Sequence, residues 1–249
     1  RVISACFSSD SKFLATASRD NTMILWDAVT SQQISVFEHE KVVLCCCFSP
    51  DGHFLVSGCQ DKICRKWDIR KRRGEALAYC EHQGIIVATS FSPSGKTICS
   101  ASADKTLRIW DSVTGQTMKV LVGHKWIVLS CTFSADGYSL VSNDECVLKV
   151  WDVQTGECKT SLEVGSVSRP GKRNNMKLAW TLSTFAPGVF GFYIVAVCND
   201  RVVHIFHPHT GEEMVSFSSK APVYCLSSGR HSKMVFGDSW GNIYVVQLE

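Results

Sequence analysis

The sequence predicts an all-β protein assembled from a repeated, four-stranded antiparallel unit, and three observations predict it. Trp26, Trp67, Trp110 and Trp151 recur at intervals of 41, 43 and 41 residues, each followed by an aspartate. Around them the chain repeats itself as FSSDSKFLATASRDNTMILWD, FSPDGHFLVSGCQDKICRKWD, FSPSGKTICSASADKTLRIWD and FSADGYSLVSNDECVLKVWD. Within every copy, short alternating stretches rich in Val, Ile, Leu, Cys and Phe are divided by turn-forming runs such as Ser-Pro-Asp-Gly, a pattern of strands and not of helices.

Taken in order, the second copy predicts an inner strand over residues 42–48, a second over 53–57, a third over 63–67 that ends at Trp67, and a fourth over 76–80 after a basic turn. Four such strands make one small sheet. The repeats span about 1–41, 42–83, 84–125, 126–166, 178–219 and 220–249. In the fifth, Phe206 stands where tryptophan stood, after a longer step of 55 residues that an insertion at 165–177 accounts for. The sixth aligns without a gap to the second, and places Val246 at the tryptophan position and Ser218 at that of His39. It stops on a third strand, so its outer strand is expected to be missing from this segment.

Composition narrows the function. With 45% apolar and 20% charged residues over 249 positions, the chain is globular and not intrinsically disordered. A net charge of +3 is too small to imply nucleic acid or an anionic membrane as the default partner. The longest apolar run, residues 189–198, is about half of what a spanning helix needs. The thirteen cysteines are odd in number and contain no C-x-x-C pair, so zinc modules of that spacing and a disulfide framework are not expected. They read as reduced, buried thiols, which points to cytosol or nucleus. Arg1 is followed at once by a strand-like stretch, so the segment is expected to belong to a longer chain.

The Trp-Asp pairs, the Gly123-His124 pair, and an aspartate six residues before the tryptophan at Asp20, Asp61 and Asp104 resemble the WD-repeat family over essentially the whole chain. Periodicity alone leaves a β-solenoid possible. The resemblance implies a β-propeller of four-stranded antiparallel blades, six visible here, in a parent expected to have seven. It also implies a hydrogen-bonded tetrad within a blade, filled here by His39, Ser57, Asp61 and Trp67 in the second repeat and by His82, Ser100, Asp104 and Trp110 in the third. The first repeat keeps Thr16, Asp20 and Trp26. The fourth has His124, Ser142 and Trp151, with Asp144 or Glu145 at the acidic position. Asp200 survives in the fifth; the fifth and sixth are expected to be held mainly by apolar packing. These polar residues read as structural.

Other motifs have plainer readings. Ser94-Gly95-Lys96-Thr97 resembles the end of a phosphate-binding loop, but the glycine required five residues before Gly95 is Ser90, and the string falls on a hairpin turn. His204, His207 and His209 cluster in HIFHPHT without a carboxylate or cysteine at ligand spacing, and His207 takes the place of the Trp-Asp aspartate. Neither a Gly-x-Ser-x-Gly elbow nor a His-Glu-x-x-His helix occurs. The expectation is no enzyme, no metal and no cofactor.

The resemblance implies a non-catalytic scaffold or adaptor that binds proteins or peptides, without a membrane, within a larger chain or complex. The residues expected to carry binding are Lys125 and Trp126, beside His124, with Arg169, Lys172 and Arg173 of the insertion, since insertions on repeat scaffolds often mark the binding face. A second basic run, Arg70-Lys71-Arg72-Arg73, falls on the opposite rim. Residues 186–193, APGVFGFY, are either an exposed apolar anchor or the start of a buried strand. The alternatives are an RNA-binding propeller, whose affinity would fall steeply with salt, and a C-terminal sensor propeller of a signalling NTPase.

Overall fold

A computed structural model describes residues 1–71, 75–163, 180–188, 191–199, 201–208, 210–228 and 233–247. It is all-β and divides into two compact units, Arg1–Gly123 and His124–Glu249.

The first unit holds three four-stranded antiparallel sheets. Sheet one contains β1 (Val2–Phe7), β2 (Phe13–Ser18), β3 (Thr22–Asp27) and β4 (Gln33–Glu38). Sheet two contains β5 (Val43–Phe48), β6 (Phe54–Cys59), β7 (Cys64–Asp68) and β8 (Glu75–Tyr79), each within two residues of the bounds read from the sequence. Sheet three contains β9 (Ile86–Phe91), β10 (Thr97–Ser102), β11 (Thr106–Asp111) and β12 (Thr117–Val122). In all three the strand order is the chain order. The register repeats too: Leu14, Leu55 and Ile98 stand opposite Trp26, Trp67 and Trp110.

The second unit repeats the plan. Sheet four is β13 (Ser130–Phe133), β14 (Ser139–Asn143), β15 (Val147–Asp152) and β16 (Cys158–Glu163). Sheet five is β17 (Trp180–Gly188), β18 (Gly191–Cys198), β19 (Val202–Phe206) and β20 (Glu213–Ser218). Sheet six has three strands among the described residues, β21 (Val223–Ser228), β22 (Lys233–Asp238) and β23 (Ile243–Gln247). The described residues add no fourth strand to it, in line with the expectation, and β23 exposes Ile243 and Val245.

Local chemistry explains where strands stop. In the first hairpin of sheets one, two and four a serine and an aspartate close the turn, and in sheet three Ser94 stands in for the aspartate. Ser49 Oγ donates to Asp51, whose Oδ1 also accepts from His53 N, while Gly52 supplies the left-handed φ of 71°. The aspartate after each tryptophan caps the third-to-fourth-strand turn. Asp27, Asp111 and Asp152 accept from the backbone N–H three residues on, at Thr30, Thr114 and Thr155. His207 does the same in sheet five, where Thr210 N donates to its Nδ1 at 3.3 Å. That turn accounts for one member of the histidine cluster; His209 lies outside the described residues.

The core lies between neighbouring sheets. Met23, Leu25 and Phe37 of sheet one meet Val43, Leu55 and Trp67 of sheet two, and Val56, Cys64 and Tyr79 meet Ile86, Ile98 and Trp110 of sheet three. In the second unit Val141, Leu148 and Val150 meet Phe185 and Ile194, and Val195, Val203 and Ile205 meet Val223, Met234 and Phe236. Burial of about 1.5–3 kcal/mol per such side chain is the main favourable term. Phe192 and Tyr193, from the APGVFGFY segment, are half-buried against these last two clusters, so this end of the segment is strand.

Candidate functional site

In sheet three the singled-out polar residues are joined. Trp110 Nε1 donates to Ser100 Oγ at 2.7 Å, His82 Nε2 lies 2.8 Å from the same oxygen, and His82 Nδ1 lies 2.7 Å from Asp104 Oδ2. One proton assignment satisfies every atom. An ionised carboxylate only accepts, so Nδ1 carries the hydrogen; Nε2 then accepts from the Ser100 hydroxyl, which in turn accepts from the indole. Asp104 also takes Gln83 N, Thr106 N and the Thr106 hydroxyl, clamping the entry to β9 onto the β10–β11 turn.

Sheet four repeats this arrangement. His124 bridges Ser142 Oγ at 2.8 Å and Asp144 Oδ2 at 3.0 Å, and Trp151 Nε1 donates to Ser142 at 2.8 Å. Asp144, and not Glu145, takes the acidic position, because its other oxygen caps the shortened turn through Cys146 N and Val147 N.

Sheet two departs from expectation. His39 Nε2 lies 2.7 Å from Ser57 Oγ, which accepts from Trp67 Nε1 at 2.9 Å, but His39 Nδ1 turns to the Phe37 carbonyl at 3.1 Å. Asp61 is held instead by Arg65 at 2.6 Å and by Ile63 N. The expected link from His39 to Asp61 is therefore replaced by an Arg65–Asp61 pair. The equivalent Arg108 of sheet three bonds Glu81, which leaves Asp104 to His82. In sheet one Trp26 Nε1 reaches Thr16 Oγ1 at 2.9 Å and Asp20 serves its own turn through Thr22.

Sheets five and six use different groups. Phe206 is buried at the tryptophan position, and His204 Nδ1 lies 2.9 Å from Glu213 Oε1. Asp200 lies outside the described residues. In sheet six the register puts Ser219, not Ser218, at the histidine position: Ser219 N donates to Arg201 O as His39 N donates to Asn21 O. Nor is that sheet held by apolar packing alone. Asp238 accepts from Asn242 and from the Tyr244 hydroxyl, and that hydroxyl accepts from Lys220 N at 3.1 Å, a polar staple that the tryptophan-centred reading missed.

Electrostatics agree with a structural role. Burial, with the Arg65 charge adding, pushes His39 down to about 4. Burial also lowers His82 and His124, against the pull of Asp104 and Asp144. Burial opposes ionisation of Asp104, but hydrogen bonds from Thr106 and His82 outweigh it and hold the group at about 2. These imidazoles are neutral near pH 7, with both ring nitrogens engaged. Among the described residues no group of three or more His, Cys, Asp or Glu side chains is placed to hold a metal ion.

The turn between β12 and β13 carries the exposed candidates. Directly after buried His124 come exposed Lys125, whose backbone N donates to Asp144 Oδ2, then Trp126 and Ile127, 49% and 44% exposed. Trp240, 70% exposed, occupies the β22–β23 turn, and Tyr224, 69% exposed, opens β21. In an antiparallel sheet of this order, the entry to the first strand and the second-to-third turn lie at one end, so each of these aromatics marks the tetrad end of its own sheet. Trp240 stands at the register of Asp61, a substitution visible in the repeat alignment. Arg169, Lys172 and Arg173 lie outside the described residues, as does the whole of 165–177. In the β7–β8 turn of sheet two Arg70 is paired with Asp68 at 2.9 Å, and Arg72 and Arg73 are outside the described residues.

The family described as "WD domain, G-beta repeat" matches residues 1–27, 31–68, 75–111 and 115–152. A curated relative from Xenopus laevis, "Ribosome biogenesis protein bop1-A", is 29% identical over 94 residues. That alignment covers 37% of this chain and 11% of the relative, so the chain matches about a tenth of that protein's length.

Proposed function

The chain belongs to the WD-repeat family, and from that premise we propose that it is a non-catalytic platform for protein or peptide partners, one WD-repeat domain over residues 1–249 within a larger chain or complex. WD-repeat propellers serve generally as scaffolds, and the blades here follow that design. One observation carries the reading. The imidazoles, carboxylates and indoles of sheets two to four are buried or half-buried and hydrogen-bonded, while the turn that the sheet-four set anchors presents Lys125, Trp126 and Ile127 to solvent. A tryptophan and a cation held on a rigid turn suit an apolar, acidic peptide, since aromatic anchors supply much of the binding energy at interfaces. Arg169, Lys172 and Arg173 would extend the cationic rim.

Affinity capture from cell extract tests this with three baits: the wild type, a Lys125→Glu/Trp126→Ala variant, and an Arg169→Glu/Lys172→Glu/Arg173→Glu variant. The reading expects the same proteins to be lost from both variants. Retention of every partner by both overturns it.

The similarity to a ribosome biogenesis protein favours a second reading, an RNA-associated assembly factor. It predicts direct RNA binding with a steep salt dependence. Cytosol or nucleus suits either reading. No helix among the described residues is long and apolar enough to cross a membrane.

A further inference from the structure

The run Cys45-Cys46-Cys47 on β5 sends neighbouring side chains to opposite faces, as a strand must. Cys45 joins the cluster facing sheet three and Cys47 contacts Thr89 there, whereas Cys46 joins the cluster facing sheet one. On that face Cys46 Sγ meets Cys6 Sγ of β1 at 3.7 Å, across 40 residues of chain. Cys46 is buried, with Ser4 Oγ and the Ala15 carbonyl each 3.8 Å away, while Cys6 is only partly covered. Two inner strands of different sheets thus present a pair of thiols, one of them within reach of a small solute.

We propose that Cys6 and Cys46 form an oxidative cross-linking site, at which a peroxide joins sheet one to sheet two through a disulfide. The sulfurs must close from 3.7 Å to about 2.05 Å, within the reach of side-chain rotation on two packed strands. The S–H of Cys6 donates to Cys46, which favours Cys46 as the thiolate and makes Cys6 the harder thiol to ionise. Cys6, the accessible sulfur, passes its proton to Cys46 and attacks one peroxide oxygen, forming an S–O bond and breaking O–O; the departing oxygen takes a proton and leaves as water or alcohol. Cys46 then gives up its proton and attacks the Cys6 sulfur, forming S–S and breaking S–O, and hydroxide leaves as water. The two sulfurs lose two electrons to the peroxide, and a dithiol regenerates both thiols by exchange. Because the bridge closes a long loop in the unfolded chain, the cross-linked form is the more stable one.

The test uses the full chain, hydrogen peroxide at near-stoichiometric dose, and alkylation of remaining thiols before intact-mass measurement and peptide mapping. The expected product has lost two hydrogen masses and two alkylatable thiols, links the Cys6 peptide to the one containing Cys46, and reverts with dithiothreitol. Cys6→Ser and Cys46→Ala abolish it; Cys45→Ser and Cys47→Ser keep it. Tryptophan fluorescence checks that each variant is folded. Phenylarsine oxide, which needs two adjacent thiols, is the second probe, and should bind the wild type once at this pair and neither single variant. Over-oxidation of Cys6 alone, a bridge that persists in Cys46→Ala, or failure of the arsenical to bind folded protein would each overturn the assignment.

Discussion

Replacing Ser100 by alanine removes one oxygen but strands one buried donor and one buried acceptor. Ser100, Trp110 and the His82 side chain are fully enclosed, so water cannot take over. Trp110 Nε1 at 2.7 Å and His82 Nε2 at 2.8 Å would both lose their partner. At about 1–3 kcal/mol for each orphaned group, the loss is expected to be about 2–5 kcal/mol. Trp110→Phe keeps the Ser100–His82 bond and most of the ring's contacts, and should cost less. In the double variant one orphan no longer exists, so the combined loss should fall short of the sum by about 1 kcal/mol or more. Urea denaturation followed by circular dichroism measures all three. A Ser100→Ala loss under about 1 kcal/mol, or strict additivity, would refute the shared-oxygen account.

Acid should weaken the fold from about pH 6.5 downward. His39, His82 and His124 sit below their ordinary 6.5 in the folded chain, so as pH falls through 6.5 the unfolded chain takes up protons first. The stability present above 6.5 is lost progressively below it, for His39 down to about 4 and by up to about 3 kcal/mol; a stability flat from pH 7 to 4.5 contradicts this. A Cβ added at Gly58 would lie 2.4 Å from Cys45 Sγ and 2.6 Å from Ile86 Cγ2, so Gly58→Ala should cost about 1–3 kcal/mol, read as a lowered melting temperature. Lys66 is buried, with its ammonium 2.6 Å from the Ser112 carbonyl and 4.0 Å from the Phe54 ring centre, beside a cavity of about 360 Å³. Tyr79 also donates to that carbonyl, so Lys66→Met should be neutral or stabilising, and a loss beyond about 1 kcal/mol would show the charge to be needed.

Much of the fold was legible because each copy repeats two kinds of local information. Alternation marks strands, and serine, aspartate and glycine at fixed offsets mark turns; both act over a few residues, so the strands of sheet two fall within two positions of the sequence reading. The His-Ser-Trp part of the tetrads was equally legible in sheets two to four. The destination of Asp61 was not, because it depends on which carboxylate a long arginine side chain meets: Arg65 finds Asp61 and Arg108 finds Glu81. The Asp238–Tyr244 staple escaped the repeat pattern because its hydrogen bonds use positions outside the His-Ser-Asp-Trp set on which that pattern is built.

The sequence by itself determined the all-β class, the number of copies and the part the buried histidines play in the sheets. These follow from side-chain period and turn chemistry, which are local. Only the tertiary structure decided which charges pair, which of three consecutive cysteines meets Cys6, and which aromatics remain exposed. Those outcomes depend on where long side chains and facing strands meet in space, in the cysteine pair across 40 residues of chain, and a linear pattern does not specify them.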